Sequence, residues 1–142
     1  MKKSFTMMEF IFVIIILGIL AAVVLPKFIS VADYAHEANL VSFVKTLNRT
    51  SGEDMWGRSI FLQKGGSIKE FDVKKYIDVP IEIKGRDLDL SKCGDGEYKK
   101  IGESNDTILN RHYTIECKDG TPTTAPYFKL KRDDGKVLVS RD

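Results

Sequence analysis

After a short basic start, the chain turns uniformly apolar, and residues 5–25 carry only Thr6 and Glu9 as polar side chains. As a helix this segment rises about 1.5 Å per residue, about 32 Å in all, which matches a hydrocarbon core of about 30 Å. Beyond Pro26 the pattern becomes amphipathic. Phe28, Val31, Ala32, Ala35, Ala38, Leu40, Phe43, Val44 and Leu47 recur at three- and four-residue spacings, while Lys27, Ser30, Asp33, Glu37 and Lys45 fall mostly elsewhere. The spacing predicts a helix that leaves the membrane and continues to about Asn48, with residues 26–50 as its amphipathic half. Met55 and Leu62 extend the stripe, so the helix is expected to resume after Ser51-Gly52 and run to about Leu62.

Gly65-Gly66-Ser67 ends the helical region, and the remainder reads as loops and short strands: residues 78–83, 98–101, 112–117, 127–132 and 136–140. The clearest pair is the last. Phe128, Leu130 and Arg132 alternate with Lys129 and Lys131, and Asp133-Asp134-Gly135 follows as a turn into the final strand. A small antiparallel sheet with one apolar face would cover the stripe of the long helix, giving an α+β fold.

The 142 residues, 30% charged and 43% hydrophobic, suffice for one anchor and one small domain. The formal charge of +2 includes Lys2 and Lys3, so the rest of the chain is near neutral, which argues against nucleic acid or another polyanion as partner. Those two lysines precede the apolar run and no basic residue follows until Lys27. The short tail should therefore stay cytoplasmic and residues 26–142 should cross. Pro26-Lys27-Phe28 replaces the small-residue motif at which a secretory signal is cut, so removal after the apolar core is not expected. Both cysteines, Cys93 and Cys117, fall in the exported part. That placement suits one disulfide in an oxidising compartment; two buried free thiols are the alternative.

Within the span, Glu9 stands out because a carboxylate there costs about 2.5 to 3.5 kcal/mol on insertion scales. Either it sits within reach of the headgroups, or a cut before Phe5 creates an α-amino group one helical turn away that compensates it within or between subunits. Gly18 and Pro26 bracket the second half of the span, and both weaken a helix. They mark a kink or local melting, or are tolerated as in other membrane helices.

Ser4-Phe5-Thr6-Met7-Met8-Glu9-Phe10, the run containing Ile-Leu-Gly18-Ile-Leu-Ala-Ala, and the terminal Pro26 together resemble the N-terminus of the type IV pilin and pseudopilin family. Pro26-Lys-Phe-Ile and the Ala-spaced segment after it also resemble pilins of the mannose-sensitive haemagglutinin type. The resemblance covers about the first 30 residues. It implies a leader, residues 1–4, cut by a prepilin peptidase between Ser4 and Phe5, with methylation of the Phe5 amine and Glu9 as the assembly glutamate. Residues 5–25 then form the transmembrane and filament-core helix, and residues 26–142 a globular domain in a pilin-like lollipop. One position departs from the family: Ser4 stands where Gly is usual. The implied function is a structural, homo-oligomeric filament subunit that works with an inner-membrane assembly platform. It is held in the bacterial inner membrane before assembly and in a surface or periplasmic filament afterwards. The alternative is a type II secretion pseudopilin, or a minor priming or tip pilin with a binding role such as DNA or surface adhesion.

The remaining candidate chemistry is sparse. His36 and His112 have no Ser, Cys or Asp motif around them, and no phosphate loop, zinc helix or dinucleotide fingerprint occurs, so neither an enzyme nor a cofactor is expected. Asp87, Asp89, Asp95 and Glu97 suggest a calcium loop but fail the EF-hand pattern at Lys92 and Tyr98, and read better as a solvated acidic turn. The lysines at 74, 75, 99, 100, 129 and 131 are interspersed with acids and read as a soluble face. Glu103-Ser-Asn105-Asp-Thr107 fits an acid-extended glycosylation sequon, with Asn105 as acceptor.

Overall fold

The structure, a computed structural model, describes residues 4–140; residues 1–3 of the expected leader and the last two positions of the expected 26–142 domain lie outside the described residues. The apolar run folds as helix α1, Met7–Thr50, which continues through Gly18 and Pro26 as one element. A π-helical turn, Ser51–Met55, joins it to α2, Trp56–Phe61. The resumption expected after Ser51-Gly52 is thus realised without a break. The buried positions Leu47, Ser51, Met55 and Ser59 are spaced by four. An α-helix of 3.6 residues per turn would rotate such positions off one face. The wider i→i+5 turn restores them to it.

Two compact units divide the chain, one extending to Ala35 and the other from His36 onward. In the first, the apolar side chains are exposed throughout. They include Phe28 and Val31 of the expected amphipathic stripe, at 66% and 60%. In the second, Leu40, Phe43, Val44 and Leu47 are buried in a core shared with Tyr113, Ile115, Cys117, Phe128 and Leu130 of the sheet. Ile68, Val73, Val79, Ile83, Leu88, Leu90 and Leu109 from the connecting segments add to it.

The sheet is an antiparallel four-stranded meander, in order β1 (Lys99–Glu103), β2 (Tyr113–Lys118), β3 (Tyr127–Arg132) and β4 (Val137–Val139). Ile115 faces Leu130 and Cys117 faces Phe128 on the buried side, and Glu116 faces Lys129 on the other. The β3–β4 hairpin closes as expected: Gly135 adopts φ +82°, a left-handed value that glycine tolerates, and its N–H donates to Arg132 O at 2.9 Å. Beyond the last pairing of β3 with β4, Asn48 of α1 serves the strand backbone. Phe128 N–H donates to its Oδ1 at 2.7 Å and its Nδ2 donates to Phe128 O at 3.0 Å.

The strand predicted over 78–83 does not form. Ile83 N–H donates to Pro80 O at 3.2 Å in a turn, and Ile83 makes an isolated bridge to Ser104. Pro80 has no N–H for a ladder, and the buried Glu82 side chain is committed to the helix, where His36 and Asn39 bond it.

Cys93 and Cys117 form a disulfide, with Cα atoms 4.8 Å apart. Gly94 N–H donates to Cys117 O at 3.1 Å and Asp119 N–H to Gly94 O at 2.9 Å, so the covalent link is flanked by a short parallel bridge. Asp119 then anchors the glycine turn after α2. Its Oδ1 accepts from Ile68 N–H at 2.8 Å and its Oδ2 from Ser67 Oγ at 2.5 Å. Gly66 packs so closely there that a Cβ would lie 2.3 Å from Thr121 O.

Candidate functional site

Thr6 precedes the first residue of α1, and Glu9 is the third residue inside it. Thr6 N–H donates to Glu9 Oε2 at 2.9 Å, Thr6 Oγ1 donates to the same oxygen at 3.1 Å, and Glu9 N–H donates back to Thr6 Oγ1 at 3.3 Å. This is a capping box, in which side chain and backbone reciprocally satisfy donors that the first helical turn leaves open. Its signal, Thr-x-x-Glu ahead of an apolar run, lies within the motif that carries the family resemblance, where it is masked by the question of the carboxylate's cost in lipid. The two roles are compatible. The Glu9 carboxylate accepts from two donors of Thr6 at the start of the apolar helix, and a negative side chain in the first turn also suits the helix dipole.

Phe5, Met8, Phe12 and Val13 lie beside Glu9 on an exposed, otherwise apolar surface. Among the described residues one helix, Met7–Phe61, is long and apolar enough to cross a membrane; its most apolar 18-residue window has a mean hydropathy of 3.0 and no buried residue. Ser4, Phe5, Gly18 and Pro26 are likewise exposed.

The other candidate residues are not brought together into one centre. His36 Nδ1 lies 2.8 Å from Glu82 Oε1, and Asn39 Nδ2 donates to the same oxygen at 3.0 Å. Burial pushes the Glu82 carboxyl up, but the bonds from His36 and Asn39 outweigh it and the net direction is down. His112 Nδ1 lies 3.0 Å from Asp106 Oδ1, and this contact is the main reason the Asp106 carboxyl is lowered. Next to His36 in the chain, Glu37 joins helix to sheet: Tyr113 Oη donates to its Oε2 at 2.5 Å and Arg132 Nη1 lies 3.3 Å from the same atom. Desolvation first, then the bond to Glu37, pushes the Tyr113 phenol up.

The acidic turn is occupied by its own chain. Asp89 Oδ1 accepts from Ser91 Oγ at 2.5 Å and its Oδ2 lies 3.1 Å from Lys92 Nζ, while Asp95 pairs with Lys69 and Glu97 with Lys99. Among the described residues no group of three or more His, Cys, Asp or Glu side chains is placed to hold a metal ion. Of the lysines in the soluble-face reading, Lys74 pairs with Asp87, Lys100 with Glu103, and Lys129 lies 4.0 Å from the centre of the Tyr98 ring.

The chain matches no family model, no curated protein and no solved structure.

Proposed function

We propose that the chain is a filament subunit of the type IV pilin kind, cut before Phe5, held by its apolar helix in a membrane, and assembled through that helix into a homo-oligomeric fibre. One observation carries the reading. Apolar side chains remain exposed from Phe5 to Tyr34, well past the stretch a bilayer needs, with Phe28, Ile29, Val31 and Tyr34 at 60–73%. A single-pass anchor requires about 20 apolar residues. The surplus turn-and-a-half of apolar helix lies where water would otherwise meet it, and burying each large side chain contributes about 1.5–3 kcal/mol. Neighbouring copies of the same helix in a fibre core supply that cover. The other features fit the same life cycle: the capping box secures the helix start that cleavage leaves behind, and the disulfide suits a domain delivered to an oxidising compartment.

The test is to shear filaments from cells, separate them from membranes, and identify the subunit by mass spectrometry of its N-terminus. A chain beginning at methylated Phe5 in the fibre fraction is the expected result. A chain that begins at Met1, or that stays wholly in the membrane fraction, overturns the proposal.

A further inference from the structure

The last residue of β1 and the connection that follows it carry Glu103-Ser104-Asn105-Asp106-Thr107, and the fold adds to this pattern a geometry that the sequence does not disclose. The tripeptide is folded as an Asx turn. Asn105 Oδ1 accepts from Thr107 Oγ1 at 2.7 Å and from Thr107 N–H at 3.3 Å. Asn105 is half-buried, and Asp106 and Thr107 beside it are exposed. The carboxamide nitrogen donates to Ile81 O at 3.4 Å, long for such a bond and in an exposed setting, so a reacting partner can displace it. The base of the turn is fixed. Asn105 N–H donates to Glu82 O at 2.7 Å, and Tyr113 N–H donates to the Oγ of the buried Ser104 at 2.8 Å. A reachable carboxamide is thus presented from an anchored frame.

An amide nitrogen is a poor nucleophile because its lone pair is delocalised onto oxygen. Two donors on Oδ1 draw electron density from the amide and make its Nδ2–H easier to remove. Two residues earlier, Glu103 meets Lys84 at 2.8 Å and Lys100 at 2.6 Å, and these contacts, Lys100 first, hold its carboxyl at about 2. The acid is anionic at any working pH, and exposed pairs of this kind exchange readily.

We propose that Asn105 is the acceptor for an N-linked oligosaccharide delivered from a polyprenyl pyrophosphate donor on the exported side of the membrane. The Asn105 Nδ2 attacks the anomeric carbon and a C–N bond forms. The bond from that carbon to the pyrophosphate oxygen breaks, the polyprenyl pyrophosphate leaves with the electron pair, and the amide proton passes to a base of the transferase. No oxidant or reductant is needed. The proposal rests on the exported topology of the proposed function.

The full chain recovered from its native cells provides the test, by intact mass, by peptide mapping, and by alkylation without reduction. The expected result is a mass above the bare mature polypeptide by one glycan, mapped to Asn105. The increment is lost in Asn105→Gln and Thr107→Val, kept in Thr107→Ser, and reduced at least tenfold in occupancy in Glu103→Gln. Thr107→Val leaves the acceptor side chain in place, and resistance of Cys93 and Cys117 to alkylation reports that each variant folded. A bare mass with both cysteines protected overturns the glycan site and leaves the export reading standing. A bare mass with both cysteines alkylated overturns both.

Discussion

Glu9→Gln and Glu9→Val separate what the Glu9 side chain does for its own helix from what it does for assembly. In the structure both bonds from Thr6 fall on Oε2, and Glu9 N–H returns to Thr6 Oγ1. A glutamine oxygen can accept the same bonds, so Glu9→Gln keeps the cap and removes the charge. Valine removes the charge and the two bonds that Oε2 accepts but keeps the backbone N–H bond to Thr6 Oγ1, so it costs the helix no more than a whole cap, about 0.5–2 kcal/mol. Against this, removing a carboxylate from the span favours insertion by about 2.5–3.5 kcal/mol, so either variant should be inserted at least as well as wild type. Assembly, on the proposed role, responds more strongly. If the carboxylate of one subunit faces the Phe5 amine of its neighbour, deleting it strands that amine in a low dielectric at about 3–5 kcal/mol, a loss of more than roughly a hundredfold in association. Apolar packing cannot replace it, because lipid tails solvate Leu and Ile as well as another helix does. Both variants should therefore be processed and membrane-bound with few or no filaments, while Thr6→Val, which breaks the cap and keeps the charge, should still assemble. The assay is the ratio of subunit in sheared fibres to subunit in membranes. Glu9→Gln fibres as abundant as wild type would refute the assembly role and leave Glu9 as a cap.

The remaining predictions concern processing, the disulfide and acid stability. N-terminal mass analysis should find a methylated Phe5; Ser4→Gly should speed cleavage and a bulky residue at position 4 should stop it, and equal rates for all three would show that this position does not govern the cut. The disulfide closes a loop with a sequence separation of 24, and the chain-entropy relation gives on the order of 3 kcal/mol for such a loop, so Cys93→Ser with Cys117→Ser should lower the urea midpoint markedly; an unchanged midpoint would contradict this. Glu82 has a folded pKa below its ordinary 4.5; its contribution is therefore present above that ordinary value and lost as pH falls through the lower folded one. Urea unfolding at pH 7 and pH 3 should show a smaller acid loss in Glu82→Gln than in wild type, and identical losses would remove Glu82 from the account.

Much of the α+β arrangement is legible from periodicity. The helix, the hairpin at Asp133-Asp134-Gly135 and the strands around 99–103, 113–118 and 127–132 follow from alternation and turn chemistry, which are local properties. The false strand at 78–83 shows where local reading ends. Val79, Ile81 and Ile83 alternate as a strand would, but whether Glu82 points to solvent or into the protein depends on His36 and Asn39, more than forty residues away. The same limit hides Asn48, an ordinary helix-end residue until Phe128 is brought against it. The capping box is a different case. Thr6-x-x-Glu9 is fully local, and it is obscured because the cost of the carboxylate draws the interpretation toward a partner charge. At Glu103–Thr107 the sequon pattern is readable, but the Asx turn that Asn105 forms with Thr107 is not.

The side-chain bridge from Asn48 to Phe128 also bears on how such molecules tolerate crowding. A sheet with an unpaired edge is a template on which another copy can add a strand, and confinement to one membrane raises that hazard. Here the last stretch of β3 is closed by a helix carboxamide, and the neighbouring strand β4 is only three residues long. On the opposite side Asp89 N–H donates to Ile101 O at 3.1 Å and Ile83 bridges Ser104, so β1 too is occupied by its own chain. β1 is thus covered by its own chain, and at the other border the shortness of β4 leaves little backbone on which a second copy could add a strand. On the proposed function, association then falls to the exposed apolar side chains of the helix.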